Sequence, residues 1–342
     1  MRGGGFGLLP APLVPLDVSL GESPVFAYAA RRLLATVPLF LLATLAVFWL
    51  VNEVGDPRDR LATCSTCDQS AYDHLVELYQ LEDPIVVRWG NWLGAAVTGD
   101  MGEAISQGNE PVMGIVRERA KNTALIAIPA FLLTVVVALG MSVWSAIRQY
   151  SASDYLITGV SFIGIAIPTF VLGLALQTLM LWSLKYWDLK PFYVSGMRDD
   201  SLLEFFRSAA MPAFTLAFIS IGAEARFGRA AMLEVVGSDY IRTARAKGLA
   251  ERTVIMKHAL RNGLVTFVTV WALDFAALVG GALITETVFN WPGLGRLLIG
   301  SLFAQDIHLA MAAIFFISGL AIVCNLLADL LYGVIDPRIR FD

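Results

Sequence analysis

Charge is scarce in this chain: Asp, Glu, Lys and Arg make up 16% of its 342 residues, against 57% for the apolar types. With a mean hydropathy of +0.66, that balance excludes an ordinary soluble domain and gives an integral membrane protein. No phosphate-cradling GxxxxGK(S/T) loop occurs, and neither does HExxH or GxSxG. The histidines, His74, His258 and His308, are scattered along the chain, so a membrane-embedded hydrolase would lack converging catalytic groups. An ion-coupled secondary transporter would call for paired repeats, and none is evident. The basic residues flank apolar segments instead of forming one continuous face, which excludes nucleic acid as a partner. Cysteine is also rare. Cys64 and Cys67 form CSTC, which cannot complete a four-ligand zinc site, and the expectation is a local disulfide in an oxidising compartment.

What is present is a set of long apolar runs. A bilayer crossing takes roughly 20 such residues. Six segments meet or approach this: Leu33 to Val51, Thr123 to Ile147, Tyr155 to Leu184, Ala209 to about Leu233, Gly263 to Val288 and Ile307 to Ile335. The expected fold is all-α, a polytopic membrane protein of six transmembrane helices. In the fourth segment Glu224, Arg226 and Arg229 follow Ala223, so the helix is expected to leave the bilayer there and continue. Arg31, Arg32, Arg148, the cluster from Arg226 to Arg261, and Arg338 with Arg340 fall on one side of an even number of spans. That side is the cytoplasm by the positive-inside rule, with both termini on it. The expected division is a flexible cytoplasmic tail (1–30), a first span (31–52), an extracytoplasmic loop (53–122) and a core of five spans (123–342). Pro10, Pro12 and Pro15 break the apolar patch of the tail, against a secretory signal. Trp49, Trp144, Trp182, Tyr186, Trp187, Trp291 and Tyr332 fall near span ends as an aromatic belt.

One stretch interrupts the apolar pattern. Glu234 to Asn262 is an island of charge between two spans. Gly237 breaks the preceding helix, Ser238 is expected to cap the next, and Asp239 suits its positive end. About two turns follow before Gly248 supplies a left-handed stop. Arg242 and Arg245 share a face, and Ile241, Ala244 and Gly248 leave a low, partly apolar strip beside them. So short a helix needs something to lie against. The residues alone leave two readings, a docking loop and a solvated basic loop.

Asp239, Tyr240, Arg242, Thr243, Ala244, Arg245, Lys247 and Gly248, within DYIRTARAKGL, with HALRN at His258 to Asn262, closely resemble the "EAA" coupling loop of the dipeptide/oligopeptide ABC-importer permeases. Further stretches are similar to that family's motifs: Ile167-Pro168-Thr169-Phe170, Met211 to Leu216, the run from Glu286 to Gly295, and Asn325 to Arg338. The resemblance implies the first permease subunit of a type I importer in the inner membrane, carrying peptides or, alternatively, nickel or another small solute. It implies a second homologous permease subunit, two ATPase subunits that bind ATP and Mg, an extracytoplasmic substrate-binding protein, and surrounding lipid. It implies no cofactor or catalysis in this chain, motion by alternating access, and attachment of the ATPases through the loop residues named above. Asp274, near the middle of the fifth span, leaves alternatives open: a path residue meeting a cationic group, a partner to an arginine of another subunit, or a protonated acid. Glu286, Pro168 and Phe170 join it as candidates for the translocation path.

Overall fold

The computed structural model describes residues 24–54, 58 and 69–335. Cys64 and Cys67, most of the expected N-terminal tail, Arg338 and Arg340 lie outside the described residues. In chain order the elements are α1 (Pro24–Val54), α2 (Gln69–Tyr79), α3 (Ile85–Thr98), a two-strand hairpin of β1 (Glu103–Ala104) and β2 (Glu110–Pro111), and α4 (Val112–Ile147). They continue with α5 (Ala152–Ala166), α6 (Thr169–Trp187), α7 (Leu202–Val236), α8 (Asp239–Ala246), α9 (Leu260–Val288), α10 (Leu294–Phe303) and α11 (Ile307–Ile335). Hydrocarbon offers no partner for backbone N–H and C=O groups, so the apolar runs close their hydrogen bonds within long helices. Leu34–Glu53, Val112–Ile147, Leu202–Val236 and Ile307–Asp329 are each long and apolar enough to cross a membrane. The bent pair α5 and α6 is apolar enough to count as a fifth crossing if the two helices form one broken span, and α9, with 29 residues, is also long enough at about 43 Å.

The third segment is one apolar run but two helices. Instead of one helix from Tyr155 to Leu184, α5 and α6 meet at 106°. The cause is local. Proline disfavours the helical conformation in the residue before it, and Ile167 is extended at φ −84°, ψ 121°. Pro168 follows at φ −59°, ψ 142°, placing it just ahead of the first turn of α6. Pro38, Pro129 and Pro212 instead stay inside unbroken helices.

The bundle is built on α4 packed against α7, with α9 against α7 and α11, and α1 against α11. At Gly222 a Cβ would lie 2.7 Å from the Ser161 carbonyl, and at Gly164 3.1 Å from the Phe218 carbonyl. Backbone therefore touches backbone where α5 crosses α7. On α9, by contrast, Gly280 faces open space.

At the end of the bundle away from α8, the helices α2 and α3 and the hairpin pack on α10 and the start of α11. Leu75, Trp92, Val112, Leu294 and Ile307 lie in this core. Asp306 ties it together: Ser106 donates to Oδ2 through N at 2.9 Å and Oγ at 2.8 Å, while Oδ1 accepts from Leu309 N at 3.2 Å. Trp49, Trp144, Trp182, Tyr186 and Trp187 are exposed in the bundle, as a belt requires. Trp291 is not part of it. It is fully buried, and its indole N–H donates to the Asn122 carbonyl at 2.8 Å.

Candidate functional site

The charged stretch folds as a compact module on one end of the bundle. Ser238 occupies the position before α8 with extended backbone, but its side chain does not cap. Its Oγ donates back to the Val235 carbonyl at 2.6 Å, so only Asp239 serves the positive end of the short helix. Gly248 follows at φ +77°, the left-handed stop read from the sequence. The strip expected beside the arginines turns inward. Ile241 is fully buried and Ala244 nearly so, packed with Ala146, Met232, Val254, Ala259 and Phe267. Two helical turns gain their stability from tertiary packing, and here the surface they lie on is their own subunit's spans.

The outward face keeps the other residues read from the sequence. Asp239, Tyr240, Arg242, Thr243, Arg245, Lys247 and Gly248 are all exposed. The Tyr240 hydroxyl accepts from Asn262 Nδ2 at 2.8 Å, which ties α8 to the start of α9. Arg242 reaches only loosely toward Asp239, at 3.5 Å. Arg245 pairs with Glu251 at 2.7 Å, bracing α8 against the elbow formed by Glu251–Thr253 and the π-helical Val254–Ala259. A π-helical insertion of this kind recurs at functional sites.

The Arg245 guanidinium, by hydrogen bond and charge, holds the Glu251 carboxyl below its ordinary titration range. A carboxyl lowered in this way stabilises the fold above its ordinary pKa, and that contribution fades as pH falls through the lowered value. The pair is solvent-exposed, so the effect is small. Glu251→Gln is expected to cost about 0.5 kcal/mol at pH 7 and nothing once Glu251 itself is protonated. Denaturation of wild type and variant across pH 3 to 8 checks this (the range spans the ordinary value of about 4.3).

A second tie holds the base of the module. Arg229 on α7 grips Asp154 on α5 with both arms of its guanidinium, Nε to Oδ1 and Nη2 to Oδ2, each at 2.8 Å. The Tyr150 amide donates to Oδ2 at 2.9 Å, and Ser145 Oγ donates to Oδ1. Nothing in the sequence singles out this pair: Asp154 stands just outside an expected span, and Arg229 is one of many basic residues.

The candidate path residues are not brought together. Pro168 forms the bend and Phe170, just beyond it, is 47% exposed. Asp274 is half-buried on α9 and accepts from Ser220 Oγ at 2.9 Å. Glu286 lies twelve residues further along α9 (274 to 286), about 18 Å, and is fully buried. Its Oε1 accepts from Thr123 Oγ1 at 2.6 Å and its Oε2 from the Arg296 amide at 3.0 Å, in the first turn of α10. An apolar cavity of about 570 Å³ opens between α4, α6 and α7, with Leu133, Leu179, Phe206 and Phe214 in its wall. Glu224, which the sequence placed at the exit of the fourth span, is 3% exposed and lies against Asp274.

Residues 138–341, which take in the bend, the charged module around α8 and α9 to α11, match the model of the family described as binding-protein-dependent transport system inner membrane components. The chain is 36% identical over 320 residues to the oligopeptide transport system permease protein AppB of Bacillus subtilis, covering 92% of this chain and 99% of that protein. It is 32% identical over 337 residues to the dipeptide transport system permease protein DppB of Alkalihalophilus pseudofirmus, covering 93% and 100%. Permeases of this kind are the non-catalytic membrane subunits of ABC transporters. A polytopic helical bundle, matched to that family over more than half its length and to such relatives over nearly all of it, belongs to the binding-protein-dependent transport system inner membrane components.

Proposed function

We propose that this chain is half of the translocation path of an ATP-driven peptide importer, and that α8 is where the ATPase subunits take hold. The observation that carries the reading is the two-sidedness of α8. Ile241 and Ala244 are sunk among the spans, while Tyr240, Arg242 and Arg245 face outward. A helix gripped on one face by its own spans and free on the other passes a push on either face to the other as rigid-body motion. Two ATPase subunits, holding ATP and Mg, supply that push. This chain contributes the docking face and the helices that move, in alternating access. A second related permease completes the path, and an extracytoplasmic binding protein delivers cargo on the far side. In this arrangement the docking end, with Arg148, Arg261 and both termini, faces the cytoplasm. Peptides are the proposed cargo because both relatives are named for peptide transport.

Reversing the charge of the outward face is expected to abolish transport. In an Arg242→Glu, Arg245→Glu double variant, the ATPase subunits should no longer co-purify and labelled-peptide uptake should fall more than about tenfold, the loss of roughly 1.4 kcal/mol of coupling or more. Glu251→Gln serves as the control, since it unpairs Arg245 without altering the docking face. Wild-type assembly and uptake in the double variant would reject α8 as the docking element. Uptake of di-, tri- and longer peptides against a knockout tests the cargo, and failure with every peptide would redirect it to another small solute.

A further inference from the structure

Two carboxyl groups meet in the middle of the bundle. Glu224 on α7 and Asp274 on α9 lie within hydrogen-bonding reach of each other. Glu224 is 3% exposed, and neither of its carboxyl oxygens accepts a hydrogen bond. Asp274 Oδ1 takes the Ser220 hydroxyl at 2.9 Å, while Oδ2 is buried without a donor. The Trp271 indole lies beside Glu224, but its N–H falls short of hydrogen-bond geometry.

Among the described residues no cation compensates this pair. On α7, Arg226 stacks over the Phe162 ring at 4.3 Å and Arg229 is committed to Asp154 of α5. On α6, Lys185 lies over Tyr186. Arg117, Glu118, Arg119 and Lys121 sit in the first turns of α4, Arg261 and Glu286 at the two ends of α9, and His308 and Asp329 toward the two ends of α11. None of these bears on Glu224 or Asp274. The space beside Glu224, walled by Phe227, Gly228, Thr266, Phe267 and Val270, is too small for a water molecule. A hydrated ion does not fit either, and a divalent metal would want about six oxygen ligands. Two carboxylates so close, with three of their four oxygens buried and without a donor, cannot both keep their charge.

We propose that Glu224 and Asp274 form a proton-binding site, in which one proton shared between the two carboxyl groups supplies the missing donor. Its position gives it a consequence. Glu224 stands twelve residues before Val236, where α7 reaches the docking module, and Asp274 stands fourteen residues after Leu260, where α9 leaves it. Those separations are about 18 and 21 Å along the two helices. The proton therefore joins the two legs of the module at nearly equal height. With it in place α7 and α9 are clasped, and without it two like charges drive them apart.

Infrared difference spectroscopy on the full-length protein in lipid reads the proton directly. At neutral pH the wild-type minus Glu224→Gln spectrum is expected to show the C=O stretch of a protonated carboxyl, shifted in D₂O and lost as pH is raised. In Glu224→Gln the amide donates to Asp274 in the proton's place, so the band disappears while the helix contact stays. Asp274→Asn, compared in the same way, is the second variant should the first not assemble. A difference spectrum without this band at neutral pH, from whichever variant assembles, overturns the proposal.

Discussion

Asp154→Ala is expected to destabilise the bundle by about 3 kcal/mol and to loosen the base of the charged module around α8. The figure is that for removing one partner of a buried pair and leaving the other charge without compensation. Three features place this pair at the costly end of ion pairs. The Asp154 side chain is 3% exposed and that of Arg229 27%, so solvent screens little of the interaction. The contact is two-armed, the geometry in which a guanidinium binds a carboxylate most strongly. The Tyr150 amide and the buried Ser145 hydroxyl also lose their acceptor, and a buried donor left unmade carries its own penalty. Asp154→Asn keeps the volume and one acceptor, and should cost less. Thermal unfolding in lipid of wild type, Asp154→Ala and Asp154→Asn gives the order. If alanine costs under about 1 kcal/mol, the pair behaves as an exposed one and does not anchor the module. Because Arg229 lies seven residues before Val236 on α7, the loss should also appear as faster proteolysis within Glu234 to Asn262, well before global unfolding.

The parts of this molecule that were legible in its sequence are those set by one-dimensional signals. Apolar run length gave six candidate crossings, and four of them stand as helices long and apolar enough to cross a membrane, because hydrocarbon leaves the backbone no other hydrogen-bonding solution. Gly248 marked the end of α8 because a left-handed residue is a local requirement. Three-dimensional competition decided the rest. Ser238 has the right type and position for a cap, yet the Val235 carbonyl at the end of α7 takes its hydroxyl. Ile241 and Ala244 repeat as any apolar strip would, and only the fold shows whether the strip faces a partner or the chain's own core. Pro168 breaks its segment while Pro129 and Pro212 stay inside unbroken helices, so a proline in an apolar run does not by itself mark the break. Nothing in the sequence around Glu224 reveals that Asp274, fifty residues on (224 to 274), lies beside it.

Glu286 illustrates how a residue attractive as a path lining can serve a different end, and its substitution has a distinctive expected pattern. Both oxygens of its carboxylate act as acceptors, Oε1 for the Thr123 hydroxyl and Oε2 for the Arg296 amide. The second of these donors is an orphan N–H in the first turn of α10, where a negative group also meets the positive end of the helix. Gly293 leaves the room: a Cβ there would fall 2.2 Å from Oε1. The Thr123 oxygen in turn accepts from the Leu294 amide at 2.9 Å, and Asn122 Nδ2 donates to the Pro292 carbonyl at 3.0 Å. A carboxylate thus fixes the turn from α9 to α10 against the start of the apolar part of α4. Glutamine has the same shape but only one acceptor oxygen, so its amide N–H₂ must face either the threonine donor or the backbone donor. Glu286→Gln is therefore expected to cost about 2 kcal/mol, close to the penalty of an unmade buried hydrogen bond. Glu286→Ala, which adds a cavity, should cost about 3 to 4 kcal/mol. Gly293→Ala should resemble Glu286→Gln by displacing the carboxylate instead of removing it. If Glu286 faced the path instead, glutamine would leave stability unchanged and alter transport alone. Unfolding midpoints and labelled-peptide uptake measured on the same three variants separate the two roles, with loss of stability in all three expected here.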